Sequence, residues 1–396
     1  MMDEIVKDLA AHAPNTTWEQ PTIFEASNPT DQTKLRQLVD EGRVQHFYDR
    51  VDLAAGELYD IQFPQEKDVP EAEKSQFADF RRQFTVEYGA YAYFPWSGTL
   101  LHLPDVAALR SLRTSRNRNL ILAEEQQKLY GATILVAGLS VGSNIVEALV
   151  SMGIGGTFIL ADMDIIEPSN LNRIRAPYAH VGHHKADAVA MRMSEIDPYV
   201  QFHLYRDGLS QESLLEILDT YKPDIIIDEM DQLKLKVAMR EEARSRGIAV
   251  LSAADDGDST IMDIERYDLN PEYPLFHGLI EQRVLDRILT DETIPRQQLG
   301  MAIGRYFIGP ENIPLRMYQS LQAVGQTLPS WPQLGSAAAQ SGIAVAYSSY
   351  RILTGQPLRQ GRYVIGPEAV LDPSIDDPAY QQEWRKYVDM LQAFNL

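Results

Sequence analysis

A chain of 396 residues with 44% apolar and 23% charged residues has ordinary globular composition, and its length allows two or three domains around a large core. Acidic residues (56) outnumber basic ones (36), and the formal charge of −20 argues against general binding to a nucleic-acid backbone. The absence of cysteine excludes disulfides, Cys-ligated zinc, iron–sulfur clusters and any thioester carried by the chain itself.

Residues 1–110 read as a mixed α+β appendage. The N-terminal run MMDEIVKDLAAHAPN lacks a signal-peptide core, and no apolar run anywhere approaches the roughly 18 residues of a membrane span. A soluble, cytoplasmic protein with no membrane partner is expected. Leu35, Leu38 and Val39 give Lys34–Gln45 helical spacing, and the polar run Gln65–Gln76, with Pro70, reads as a surface loop. Tyr88–Phe94 and Leu100–Leu103 read as strands joined by a turn at Pro95-Trp96-Ser97-Gly98.

From about residue 111 to 254, strands and helices alternate. The expected strands are Thr133–Ala137, Thr157–Ala161, Val200–Tyr205, Asp224–Asp228 and Ala249–Ala253. The expected helices are Gly142–Met152, Lys185–Ile196 and Asp231–Arg246. Near-continuous apolar strands in this order predict an α/β fold with a doubly wound, mostly parallel sheet. Beyond it, Thr260–Asp268 alternates like a strand, and residues 269–333 are proline-rich with short helical patterns. Gly335–Leu353 is a small-residue helix suited to close packing on the sheet or at a subunit contact, and Gln381–Asn395 is an amphipathic helix.

The chemistry concentrates at the strand ends. The first of these strands leads into Ala137-Gly138-Leu139-Ser140-Val141-Gly142, where a helix begins. Such a turn brings backbone and helix N–H groups to a phosphate, although only Gly142 fits the last glycine of G-x-G-x-x-G, and ordinary strand–helix packing is the competing reading. Asp162 follows by about 20 residues, as a ribose-binding carboxylate does, though it also suits a loop cap. Arg173 and Lys185 then supply two cations that suit a triphosphate better than a dinucleotide, unless they are surface charges. In Asp228-Glu229-Met230-Asp231, either aspartate is placed to hold Mg²⁺ beside phosphates, and Asp228 alternatively caps a helix. His183-His184 reads as a surface pair without a third metal ligand, His277 as a structural histidine, and Trp96, Trp331 and Trp384 as core or interface residues.

These segments, ILVAGLSVGSN, ILADMDIIEPSNLNRI, VGHHKADAVAMRMSEIDPYV and DIIIDEMDQ, resemble the ThiF/MoeB family, which includes ubiquitin-activating enzymes. The S-N-L-x-R and G-x-x-K runs are its specific part, and the likeness covers about residues 111–254. The GLSVG turn and Asp263–Asp268 look like a bacterial branch. The resemblance implies a Rossmann-like, ThiF-type core over residues 111–268. Residues 1–110 are then a substrate-docking appendage, and residues 269–396 a C-terminal extension completing the core domain.

It also implies ATP-dependent adenylation of a carboxylate on a peptide, a small-protein C-terminus or a small acid. Gly138, Gly142, Asp162, Asp164, Ser169, Asn170, Arg173 and Lys185 are the implied nucleotide-binding residues. Asp231 (on Mg²⁺), Lys185, Arg173 and Arg116 are the implied catalytic ones. Arg116, in Arg113-Thr114-Ser115-Arg116-Asn117-Arg118, is implied to act across a homodimer interface, with Arg118 next in line. Two of the three turn glycines are replaced by Ala137 and Leu139, and neither the relatives' zinc cysteines nor a thioester cysteine is present. No zinc is expected, and the adenylate must pass directly to a nucleophile. A catalytically silent nucleotide-binding scaffold and an NAD(P)-dependent oxidoreductase are the alternative readings.

Overall fold

The computed structural model describes Met2 and residues 15–291, 293–321 and 323–396, without the side chains of Arg296 and Gln297. Residues 1 and 3–14, most of the run read as lacking a signal-peptide core, lie outside the described residues. The chain divides into two units. One comprises Met1–Gln127, Val150–Gly153 and Ala190–Phe202; the other comprises Lys128–Leu149, Ile154–Val189 and His203–Leu396. Among the described residues, no helix is long and apolar enough to cross a membrane.

The first unit holds a four-stranded sheet of β1 (Thr22–Glu25), β2 (His46–Asp49), β3 (Ala90–Phe94) and β4 (Thr99–Leu103), in the order β1-β3-β4-β2. β3 and β4 form the expected hairpin, turning at Gly98 with φ +60°. β2 lies parallel to β4. The helix expected from Lys34 begins earlier and spans Pro29–Asp40, because the Asn28 side chain accepts from Thr30 N and Asp31 N and Pro29 opens the first turn. Phe24, Leu38, Tyr93 and Leu100 fill the space between that helix and the sheet. Trp96 is buried, and its Nε1 donates to Glu195 Oε1 at 2.9 Å.

The second unit is built on a seven-stranded sheet. Its strands are β5 (Thr133–Ala137), β6 (Thr157–Ala161), β7 (Gln201–Tyr205), β8 (Ile225–Asp228), β9 (Ala249–Asp256), β10 (Ser259–Glu265) and β11 (Gly361–Ile365), in the order β11-β10-β9-β8-β5-β6-β7. β5 pairs in parallel with β6 and β8, and β8 with β9, while β10 runs antiparallel to both of its neighbours, β9 and β11. Ile134, Leu135, Val136, Ile225, Ile226 and Ile227 are fully buried, as expected for central strands covered on both faces. The chain leaves β5 for β6 on one side and returns to β8 on the other, so the strand order reverses between β5 and β8.

The helix Gly335–Leu353 packs on β9 and β10, with Thr260 Oγ1 3.1 Å from Ala337 O and 3.0 Å from Ser341 Oγ. Its small residues are needed for contact with the helix Gly142–Ser151: a Cβ on Gly342 would lie 2.6 Å from Asn144 O. The tail helix spans Pro378–Gln392 and buries Val388 and Leu391 against Ile313 and Tyr318, with Trp384 Nε1 donating to Ile313 O at 2.9 Å. Trp331, expected in the core or at an interface, is 47% exposed.

Candidate nucleotide site

The C-terminal ends of β5 and β8 meet at the reversal of strand order, the place where open α/β sheets bind ligands. Gly138 sits there at φ +91°, and a Cβ on it would lie 2.3 Å from Glu229 O. The turn therefore needs glycine at this position because the backbone just past the end of β8 passes over it, whatever a ligand requires. Gly142 is less constrained: its Cβ would meet only side chains, Val136 Cγ1 at 3.3 Å and Leu139 Cδ2 at 3.6 Å.

Asp162, at the end of β6, closes the turn. Its Oδ2 accepts from Leu139 N at 2.7 Å and its Oδ1 from Asp164 N at 2.8 Å. Burial pushes the Asp162 carboxyl above its ordinary range, against the pull of the Lys185 charge and the two backbone donors. Each oxygen keeps a further lone pair, so the loop-capping role and a ribose-binding role are compatible. Lys185, the first residue of the helix Lys185–Ile196, is buried, with Nζ 2.8 Å from Asp164 Oδ2 and 3.9 Å from Asp162 Oδ1.

Arg173 reaches the same turn from the S-N-L-x-R run. Its Nε donates to Ser140 Oγ at 3.0 Å, and its Nη1 to Asn172 Oδ1 at 3.0 Å. The Arg173 carbonyl accepts from Asn144 Nδ2 at 2.8 Å, and Asn144 Oδ1 accepts from Arg175 Nε at 3.0 Å. Asn170 is buried, and its Oδ1 accepts from Glu167 N at 3.0 Å, so its carbonyl end is committed to holding the local turn. Ser169 is exposed.

The two aspartates after β8 have different environments. Asp228 is fully buried, with Oδ2 2.5 Å from Arg240 Nη1 and 3.1 Å from Lys236 Nζ, which hold its carboxyl below the ordinary range despite burial. Arg240 also pairs with Glu265 at 2.6 Å and lies over the Phe276 ring at 4.3 Å. This leaves Asp228 a structural anchor rather than a metal ligand or helix cap. The following helix begins at Leu233 rather than at Asp231, so Asp231 lies exposed in the connection.

Three site residues had no place in the sequence reading. Glu229 Oε1 accepts from Ala253 N at 2.8 Å, bridging β8 and β9 beyond their last pair, and burial pushes its carboxyl well up. Asp255 Oδ1 accepts from Gln333 Nε2 at 3.1 Å, and Gln333 O accepts from Asn172 Nδ2 at 2.7 Å. Burial raises the Asp255 carboxyl too, while the Arg173 charge pulls it down. The only sequence signal for Asp255 was the acidic run Asp255-Asp256-Gly257-Asp258.

Arg116 belongs to the first unit, in the short turn Ser115–Asn117, and is exposed. His183 is buried and stacks on His180 at 4.8 Å, which corrects its reading as a surface residue. His277 is a structural histidine, 3.0 Å from both Asp263 Oδ1 and Tyr273 OH.

A model of the ThiF family matches residues 114–366, more than half of the chain. An uncharacterized protein of Mycobacterium tuberculosis (strain CDC 1551 / Oshkosh) is 38% identical over 288 residues, covering 73% of this chain and 39% of that protein. The tRNA threonylcarbamoyladenosine dehydratase of Bacillus subtilis (strain 168) is 31% identical over 165 residues, covering 40% of this chain and 64% of that protein. The chain thus spans less than two thirds of the length of these relatives. The crystal structure of E. coli MccB with ATP aligns with a TM-score of 0.45 at 15% identity, over 77% of this chain and 78% of that one.

Proposed function

Because the chain belongs to the ThiF family, we propose that it uses ATP to adenylate a carboxylate, with the nucleotide held where β5 and β8 meet. The observation that carries the reading is the convergence of Asp162, Arg173 and Lys185 on the Gly138 turn within one unit. Asp162 accepts hydrogen bonds from the ribose. Arg173, already fixed to the turn through Ser140, presents its remaining N–H groups to phosphate oxygens. Lys185 exchanges its bond to Asp164 for the phosphates, where its charge offsets the negative charge that builds up as a carboxylate oxygen attacks the α-phosphorus and pyrophosphate leaves.

Asp231 fits a Mg²⁺ ligand because it is exposed at the carboxyl edge of the sheet, and no hydrogen bond or ion pair among the described residues occupies its carboxylate. Mg²⁺ bound there would neutralise phosphate charge. Without cysteine, the acyl-adenylate goes straight to an acceptor nucleophile. A peptide, a small-protein C-terminus or a small acid is the carboxylate in this reading. Residues 1–110 dock it, Arg116 acts across a homodimer interface, and the protein works in the cytoplasm.

The test is carboxylate-dependent ATP–pyrophosphate exchange with Mg²⁺ over pooled peptides and small acids. Lys185→Ala and Asp231→Ala are expected to lower exchange by about 100-fold or more, the scale of losing one charge-stabilising group. Full exchange in Lys185→Ala would overturn the assignment. ATP binding without turnover would favour the silent scaffold, and NAD⁺ binding in place of ATP an oxidoreductase.

A further inference from the structure

We propose that Asn144 is a positioning residue of the nucleotide site, which fixes Arg173 in the pose that faces the phosphates. The inference rests on the adenylation reading and adds a residue to its machinery. Asn144 lies in the first turn of the helix Gly142–Ser151 and is 4% exposed. Its amide is committed at both ends: Nδ2 donates to Arg173 O at 2.8 Å, and Oδ1 accepts from Arg175 Nε at 3.0 Å. Flipped, the amide would set oxygen against a carbonyl and N–H against a guanidinium, so its neighbours dictate one orientation. The Asn144 backbone is held as well. Its N donates to Val141 O at 2.9 Å, and its carbonyl lies so close to Gly342 that a Cβ there would be 2.6 Å away.

Arg173 lies just past the short helix Pro168–Asn172, where no helical bond accounts for its carbonyl. Its N donates to Asn170 O at 3.0 Å, and Asn144 secures the other side of the residue. The side chain is then directed by Nε on Ser140 Oγ and Nη1 on Asn172 Oδ1. Among the described residues, Nη2 has no hydrogen-bond partner, so this end of the fork is left to meet a phosphate oxygen.

A guanidinium donates from a rigid, planar fork, so a shift of its backbone carries Nη2 off a phosphate oxygen, whereas the flexible stem of a lysine absorbs such a shift. The role of Asn144 therefore depends on Arg173 being arginine. It also depends on an amide of this length: aspartate lacks the donor, leucine lacks both groups, and glutamine is one methylene too long for a site closed by Gly342.

The test is a double-mutant cycle on the full chain, read as ATP binding by calorimetry with Mg²⁺. Asn144→Leu, of similar volume and without hydrogen-bonding groups, is expected to weaken ATP binding roughly tenfold. Arg173→Lys keeps the charge on a flexible stem. In that background the same change is expected to weaken binding by less than about threefold. A merely structural asparagine would give the same loss in both backgrounds. Equal losses, or ATP binding undiminished by Asn144→Leu, overturn the proposal. Asn144→Ser, which stays polar but cannot span both partners, carries the same cycle if Asn144→Leu fails to fold. ATP binding that ignores Asn144 removes this inference alone; failure of the natural chain to bind ATP removes the adenylation reading as well.

Discussion

Asp256, at the end of β9, is 4% exposed, and its Oδ2 has no hydrogen-bond partner. Burial first, and then the neighbouring charges of Asp255, Asp258 and Glu368, push its carboxyl from an ordinary 3.8 up to about 7. The folded chain therefore keeps a proton that the unfolded chain releases. From about pH 4 to pH 7 the unfolded state is favoured progressively as pH rises, and above pH 7 the full penalty applies. A shift of about three pKa units corresponds to about 4 kcal/mol.

Asp256→Asn removes the titrating group and places N–H donors beside Asp258 and Glu368. Its advantage over the natural chain is expected to be about 2 kcal/mol near pH 5 and about 4 kcal/mol near pH 8. Urea unfolding followed by tryptophan fluorescence at a series of pH values reads the difference directly. An advantage that stays flat, or shrinks as pH rises, would show that Asp256 does not hold its proton in the folded chain.

Other perturbations follow from the same packing. Gly138→Ala places a Cβ 2.3 Å from Glu229 O at φ +91°, and a loss of about 1–3 kcal/mol in urea unfolding, together with loss of ATP binding, is expected. Arg240→Met leaves Asp228 and Glu265 buried without their shared cation; a loss of about 3–5 kcal/mol is expected, and a neutral result would contradict the ion network described here. Asp263 is held down to about 2 by His277 and Arg362 against its burial, so it stabilises the fold above about pH 4 and this contribution fades as pH falls towards 2. Arg362→Met should cost about 2 kcal/mol at neutral pH and shift the acid unfolding midpoint upward; an unchanged midpoint would count against that pair.

The central strands were legible because β5, β6 and β8 are apolar runs buried on both faces, and burial of this kind is written into composition. The helix Gly335–Leu353 was legible from its small residues, whose reason is the close approach of Gly342 to Asn144. Asp162, Arg173 and Lys185 stood out as candidates because strand ends and motif spacing mark them, and the structure brings them together at one turn. β2 and β11 escaped notice because they are short edge strands with exposed residues and no clean alternation. The helix Gln211–Thr220 was missed although Ser210 and Ser213 form a reciprocal cap at its start, a signal present in the sequence. The choice between Asp228 and Asp231 depended on Arg240 and Lys236 folding back onto one of them. Asp255 was hidden because its partner, Gln333, is 78 residues away in the chain. Contacts of that range have no local periodicity to reveal them.

In the proposed reaction a carboxylate oxygen attacks the α-phosphorus of ATP at the turn held by Gly138, Asp162 and Lys185. The most direct measurement supplies the carboxylate identified by exchange with its oxygens isotopically labelled, and weighs the AMP released after transfer to the acceptor. Adenylation predicts one labelled oxygen in the AMP phosphate, and no labelled AMP from Lys185→Ala. Unlabelled AMP, or label recovered in pyrophosphate or inorganic phosphate, would rule out attack on the α-phosphorus.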